Sequence, residues 1–153
     1  MKPWNPNIRI QREAFDLAEE TRRLTAGRTD IGATVAFTGW CRDEGERLAA
    51  LELEHYPGMA EAEIARIAAE AAERWPLQGL TVIHRHGFIE PGEPIVLVLT
   101  ASEHRQAAFE SASFLMDFLK TRAPFWKKER RVAGAEGGWV AAKVEDVDAA
   151  GRW

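Results

Sequence analysis

The 153-residue chain has a mass of 17.1 kDa and 46% apolar residues, enough for one compact domain with a sizeable core, which excludes a disordered segment or a miniprotein scaffold. Twenty Lys and Arg against 24 Asp and Glu leave a net charge of -4, so the molecule as a whole is no polyanion binder and any anion site must be local. The single cysteine, Cys41, excludes an internal disulfide and a thiolate-rich zinc site, and no run approaches the ~20 apolar residues of a membrane span; a soluble cytoplasmic protein with one domain over residues 1–153 is expected.

No internal repeat, low-complexity tract or linker interrupts the chain. Ile8 to Ile10 alternates apolar with charged and predicts a short strand; Phe15, Leu17, Ala18 and Leu24 then predict an amphipathic helix over Glu13 to Leu24. After the break at Gly27 to Asp30, the β-branched run Ile31 to Thr38 predicts a strand that Gly39 ends. Leu48 to His55 is expected to pair with it, and the alternation of Leu51 and Leu53 with Glu52 and Glu54 gives that strand one wet face. Tyr56-Pro57-Gly58 is a turn before a helix over Ala60 to Trp75, striped by Ile64, Ile67, Ala68 and Ala71 and stopped by Pro76. Leu80 to His86 and Ile95 to Ala101 predict an antiparallel pair around the turn Glu90 to Pro94. Ser102 is the expected N-cap of a long helix to about Arg122, with Ala108, Phe109, Ala112, Leu115, Met116 and Leu119 inward, and Pro124 ends it. Phe125 to Val132 and Trp139 to Val144 read as a closing hairpin around Gly134 to Gly138. The sum is an α+β domain with mostly antiparallel strands.

The charge missing globally is concentrated in one segment. From Lys120 to Arg131, Lys120, Arg122, Lys127, Lys128, Arg130 and Arg131 face only Glu129. Such a run is either a solvated helix end and charge-protected edge strand or an anion pocket, in which neighbouring cations lower a lysine pKa toward usefulness in proton transfer. In a strand, Lys127 shares a face with Phe125 and Lys128 with Trp126, so only one of the two lysines enters a given pocket. Ser102-Glu103-His104-Arg105, at a helix start, is either a first turn of surface residues or a phosphate or carboxylate site. Arg42 lies just past a strand end, where a loop residue reaches ligands. Cys41 beside it is either a small packing residue or a thiol activated by a cation. His84 and His86 are either core or surface histidines or two metal ligands, with no third ligand at a recognisable spacing, so no metal is expected.

Several runs together carry a resemblance: Phe37-Thr38-Gly39 with Arg42, Leu53-Glu54-His55-Tyr56-Pro57-Gly58-Met59, Val82-Ile83-His84-Arg85 with Gly87, Pro91-Gly92-Glu93, Ser102 with His104-Arg105, and Lys120-Thr121-Arg122-Ala123-Pro124-Phe125-Trp126-Lys127. The chain resembles the large, catalytic subunits of molybdopterin synthase from about Ile31 to Trp153. The resemblance implies an α/β-hammerhead fold with two long helices and a small β-hairpin subdomain. It also implies an enzyme of molybdenum-cofactor biosynthesis that installs two dithiolene sulfurs on cyclic pyranopterin monophosphate, with no cofactor of its own. The sulfur would arrive as a thiocarboxylate on the C-terminal Gly-Gly tail of a small ubiquitin-like partner, within a heterotetramer built on a homodimer. This chain, ending in Arg152-Trp153, resembles the acceptor of that partner. By matching motif, Lys120 and Lys127 would be the catalytic lysines, and Phe37, Arg42, His104, Arg105 and Met116 would line the pterin and phosphate pocket. Lys143 stands where the family carries an arginine, so an anion contact there would be a point charge. Cys41 and His86 match no functional family position, and the first 30 residues are assigned no role.

His104 and Lys120 are sixteen residues apart, roughly 24 Å along an unbroken helix, so one pterin would not touch both from one chain. The spacing predicts a composite pocket across a two-fold dimer, with Lys120, Lys127 and Arg42 from one protomer and His104 and Arg105 from the other. Two rival classes are distinguishable. A non-catalytic anion or nucleic-acid binding module would use the basic segment with Phe125 and Trp126 and bind RNA with steep salt dependence. A cysteine-dependent sulfurtransferase would carry persulfide on Cys41.

Overall fold

Alternating apolar residues build two four-stranded sheets. The computed structural model describes residues 4–43, 45, 48–131, 136–140 and 144–153. In the first sheet β1 (Asn7–Gln11), β4 (Leu77–Arg85), β6 (Pro94–Ser102) and β2 (Ala33–Trp40) stand in that spatial order. β1 runs parallel to β4, and the other pairings are antiparallel. In the second sheet, antiparallel throughout, β5 (Gly87–Ile89), β3 (Leu48–His55), β7 (Phe125–Arg131) and β8 (Glu136–Val140) follow one another. The period-two rule separates the faces of the first sheet. Leu80, Val82, Val96 and Val98 join the main core with Ile64 and Ile67 of α2 (Met59–Arg74) and Phe114 and Leu115 of α3 (Arg105–Thr121). Ile83, Leu97 and Leu99 face the opposite way and are covered by Phe15 and by Leu24 of α1 (Leu17–Thr25).

Several expected elements change when tertiary partners are present. Leu48–His55 is a strand as expected, but it pairs with β5 and β7 in the second sheet and not with β2. The alternation of leucine and glutamate specifies a half-buried strand without specifying its neighbour. Gly39 does not end β2; the strand passes through it with a register shift before Trp40. The first helix starts at Leu17, where the Asp16 carboxylate accepts from the backbone N–H of Ala18 and Glu19. Ser102 is the last residue of β6 and not a helix cap: its hydroxyl donates to the Pro76 carbonyl at 3.0 Å, and α3 begins one turn later with His104 at the N-cap position. Strand β8 begins and ends earlier than the expected Trp139 to Val144, and a short helix α4 (Val144–Ala150) follows. The first 30 residues, assigned no role above, supply β1 to the first sheet and α1 to its second face.

Two details set the position of α3. A Cβ on Gly32 would collide with the Glu103 carbonyl, so only glycine lets the chain entering β2 lie against the turn that starts the helix. Near the other end, Asp117 accepts from the Trp153 indole N–H and from Arg152 at 2.8 Å, while the Trp153 ring sits edge-on to Trp75 and Phe114. Among the described residues no helix is long and apolar enough to cross a membrane.

Candidate functional site

The lysine site is assembled at one end of the first sheet by the return path of α3. Ser102, the last residue of β6, pairs with Ala33, and Pro94, its first, pairs with Trp40. At ~3.3 Å per residue β6 is about 26 Å long, close to the ~24 Å from His104 to Lys120 along α3. The helix therefore carries His104 and Arg105 at one end of the sheet and Lys120 at the other. Phe37, paired with Val98 halfway along β6, shares the face of Val35, which packs on the core below α3, and at the Lys120 end Cys41 and Arg42 follow Trp40. The backbone of Cys41 is fixed to the 90–93 turn in both directions, receiving the Gly92 N–H at 2.7 Å and donating its own to Glu93 at 2.8 Å. Met116, half-buried, lies one turn before Lys120 on the same side of the helix.

After α3, the Arg122 N–H closes the helix on the Phe118 carbonyl at 2.7 Å, and Pro124 directs the chain into β7. Register pairs Phe125 with His55, Lys127 with Leu53 and Lys128 with Glu52, so Phe125 and Lys127 share the face of buried Leu53 while Lys128 is on the other, as the period-two argument requires. Buried His84 of β4 pairs with Val96 near the Pro94 end of β6 and lies against the Phe125 face of β7. Burial pushes its imidazole down to about 3, and the charges of Lys127, Lys120 and His55 add to that effect against an opposing hydrogen bond to the Arg85 carbonyl. His84 and the Phe125 ring are stacked, 3.6 Å apart and 12° from parallel. His55 stacks on Phe125 at 5.9 Å and meets His86 at 4.6 Å.

The remaining candidates divide cleanly. Exposed Arg42 lies at the Lys120 end and exposed Phe37 halfway along β2, whereas His104 and Arg105, both exposed, lie at the opposite end of α3. Lys143 lies outside the described residues. Cys41 is buried, its Sγ 3.7 Å from the Ile89 carbonyl, and burial raises its thiol pKa, with Glu93 and Asp43 acting in the same direction; this is the environment of a packing cysteine and not of a ready thiolate. Among the described residues no group of three or more His, Cys, Asp or Glu is arranged to hold a metal ion. A shallow groove of about 360 Å³, lined by Met59, Ala62, Glu63, Arg66, Arg122 and Pro124, contains none of the expected site residues, so the lysine site is not this groove. Sequence reasoning left His84 undecided and missed its stack on Phe125, a contact between residues 41 apart that no local pattern signals.

Comparison with known proteins places these features in context. A family model described as MoaE protein matches residues 10–122. The molybdopterin synthase catalytic subunit of Mesorhizobium japonicum is 72% identical over 148 residues, covering 97% of this chain and 93% of its own. The solved structure of the molybdopterin biosynthesis MoaE protein from Burkholderia ambifaria superposes with a TM-score of 0.84 at 48% identity, covering 97% of this chain and 98% of that one. A chain from a Helicobacter pylori structure, described as a complex of subunits 1 and 2 of molybdopterin-converting factor, shares the fold at a TM-score of 0.73 and 19% identity, covering 86% of this chain and 88% of that one.

Proposed function

The chain belongs to the MoaE family of molybdopterin synthase catalytic subunits, and from that premise we propose how its residues divide the work of sulfur transfer. The enzyme is a sulfurtransferase of molybdenum-cofactor biosynthesis, not a nucleic-acid binding module. Its substrate is cyclic pyranopterin monophosphate, its sulfur source the thiocarboxylated Gly-Gly terminus of a small ubiquitin-like subunit, and its place of action the cytoplasm. The thiocarboxylate sulfur attacks an oxygen-bearing carbon of the pterin side chain, so that a C–S bond forms as a C–O bond breaks; the displaced oxygen stays on the opened phosphate in one round and leaves as water in the other. Water then cleaves the acyl–sulfur bond, releasing the partner with a carboxylate and leaving the sulfur on the pterin; a second partner repeats the sequence.

Because the nucleophile comes from the partner, this subunit's contribution is positioning and charge control. Lys120 and Lys127 neutralise the developing oxyanion of the thiocarboxylate carbonyl and move the protons of the hydrolytic step. Arg42, with His104 and Arg105, holds the phosphate; Phe37 and Met116 supply apolar contact to the pterin; Lys143 adds a point charge. The return of α3 to the Pro94 end of β6, beside the face of β7 where Lys127 stands and Phe125 stacks on buried His84, is the observation that carries this assignment.

Since α3 separates His104 from Lys120 by ~24 Å, the pocket is composite, completed by a second copy. On the helix, Arg105, Phe109, Ser113, Met116 and Lys120 recur at helical spacing as one stripe, with Phe109 62% exposed. A two-fold axis crossing α3 near Ser113, midway along this stripe, sets two copies of the helix antiparallel and brings His104 and Arg105 of each beside Lys120 of the other. A turnover assay by mass spectrometry, with the thiocarboxylated partner and cyclic pyranopterin monophosphate, tests the lysine assignment. Wild type should form the dithiolene product, and Lys120→Ala should turn over about 100-fold more slowly while binding the partner with near-normal affinity. Equal losses of turnover and partner binding would contradict the catalytic role.

A further inference from the structure

His84 is a buried polar residue at the junction of the two sheets. It stands one residue before the end of β4, where the chain leaves the first sheet, turns at Gly87 with φ +88 and enters β5 of the second. Its Nδ1 lies 2.8 Å from the Arg85 carbonyl, and since a carbonyl only accepts, Nδ1 carries the proton and the ring is locked as the neutral Nδ1–H tautomer. The face of that ring meets Phe125, the first residue of β7, in a near-parallel stack at 3.6 Å. Lys127 follows two residues later on the same face of β7. Burial holds the imidazole neutral, so it adds no third charge to Lys120 and Lys127.

We propose that His84 is a positioning residue for sulfur transfer: its flat, buried ring is the plate on which Phe125 rests, and that rest sets where Lys127 meets the thiocarboxylate. The inference rests on the functional reading above. A plate fixed to β4 ties the first residues of β7 to the first sheet, so the lysine from the second sheet keeps a constant offset from Lys120 on α3. Without it, Phe125 keeps its longer contact with His55 and its place at the edge of the core. An ångström of drift in a charged group is costly to a rate and small for binding.

Single-turnover kinetics with enzyme in saturating excess over cyclic pyranopterin monophosphate, using the thiocarboxylated partner, separates positioning from mere packing, because at saturation the rate constant does not depend on the folded fraction, which circular dichroism reports separately. His84→Gln, which keeps a donor and loses the plate, should lower the rate constant by about 10-fold or more, with the partner Kd changed less than about 3-fold. Phe125→Leu, which removes the stack from the other side, should do the same. His84→Phe, which restores a flat ring without the Nδ1 donor, should recover most of the lost rate even at a lower Tm. Unchanged rate constants with a reduced folded fraction in His84→Gln and Phe125→Leu would overturn the proposal, as would failure of His84→Phe to recover the rate. Absence of dithiolene product from wild type would instead overturn the functional reading itself, and this inference with it.

Discussion

Lys127 and Lys128 are adjacent in sequence, yet they serve opposite faces, because β-strand alternation places Lys127, the proposed site residue, with Phe125 on the face of Leu53 and sends Lys128 to the side of Glu52. His84 gives the site a measurable pH signature. It titrates near 3 when folded and near 6.5 when unfolded, so between these values the unfolded chain takes up a proton that the folded chain refuses. Stability from this group is complete above about pH 6.5 and is lost as pH falls toward 3, at up to about 1.4 kcal/mol per pH unit. His86, also held below its ordinary pKa by burial and by His55, acts in the same direction. Denaturant unfolding at pH 6.5 and pH 5 should therefore show wild type losing about 2 kcal/mol more than His84→Gln, since shared carboxylate effects cancel in the difference. Equal losses would show that His84 is not a buried neutral group. The lysine faces were legible in the sequence because they follow from a local period. The stack of His84 on Phe125 was not, because it joins two sheets.

At the scale of elements, α3 is the scaffold: one face packs into the core, and its two ends carry residues assigned to different pockets. Its C-terminal half is clasped by Trp153 and Arg152 through Asp117, and Arg74 donates to the Trp153 carbonyl at 3.1 Å. Trp153→Ala removes the ring from Trp75 and Phe114 and leaves Asp117 without its indole donor. Thermal or chemical denaturation should show a loss of about 3 kcal/mol, and a change under about 1 kcal/mol would show that the clasp is marginal. The long helices α2 and α3 were readable from their apolar stripes, and the strand Leu48–His55 was readable to its ends. Its partners were not, since β7 lies more than 70 residues later and alternation is blind to distance along the chain. Ser102 misled because its type suits a helix cap, whereas β6 extends through it and the Pro76 carbonyl takes its hydroxyl. Strand β5 and helix α4, three and seven residues long, are too short for a periodic signal.

For the whole molecule, the decisive quantity is the length of α3. An unbroken helix holds His104 and Arg105, proposed above to bind the phosphate, ~24 Å from Lys120, and that distance turns a list of family positions into a statement about assembly. A site divided between two copies makes the dimer part of the catalytic machinery, and two different inactive variants should then repair each other. The measurement is complementation: Lys120→Ala and His104→Ala chains, each nearly inactive alone, are unfolded together at equal concentration, refolded, and assayed for dithiolene formation with the thiocarboxylated partner and cyclic pyranopterin monophosphate. Random pairing makes half the dimers mixed, and each mixed dimer holds one intact site, so the composite account predicts recovery of about one quarter of wild-type turnover. Activity that stays at the level of the separate variants, with mixed dimers shown to be present, would contradict it.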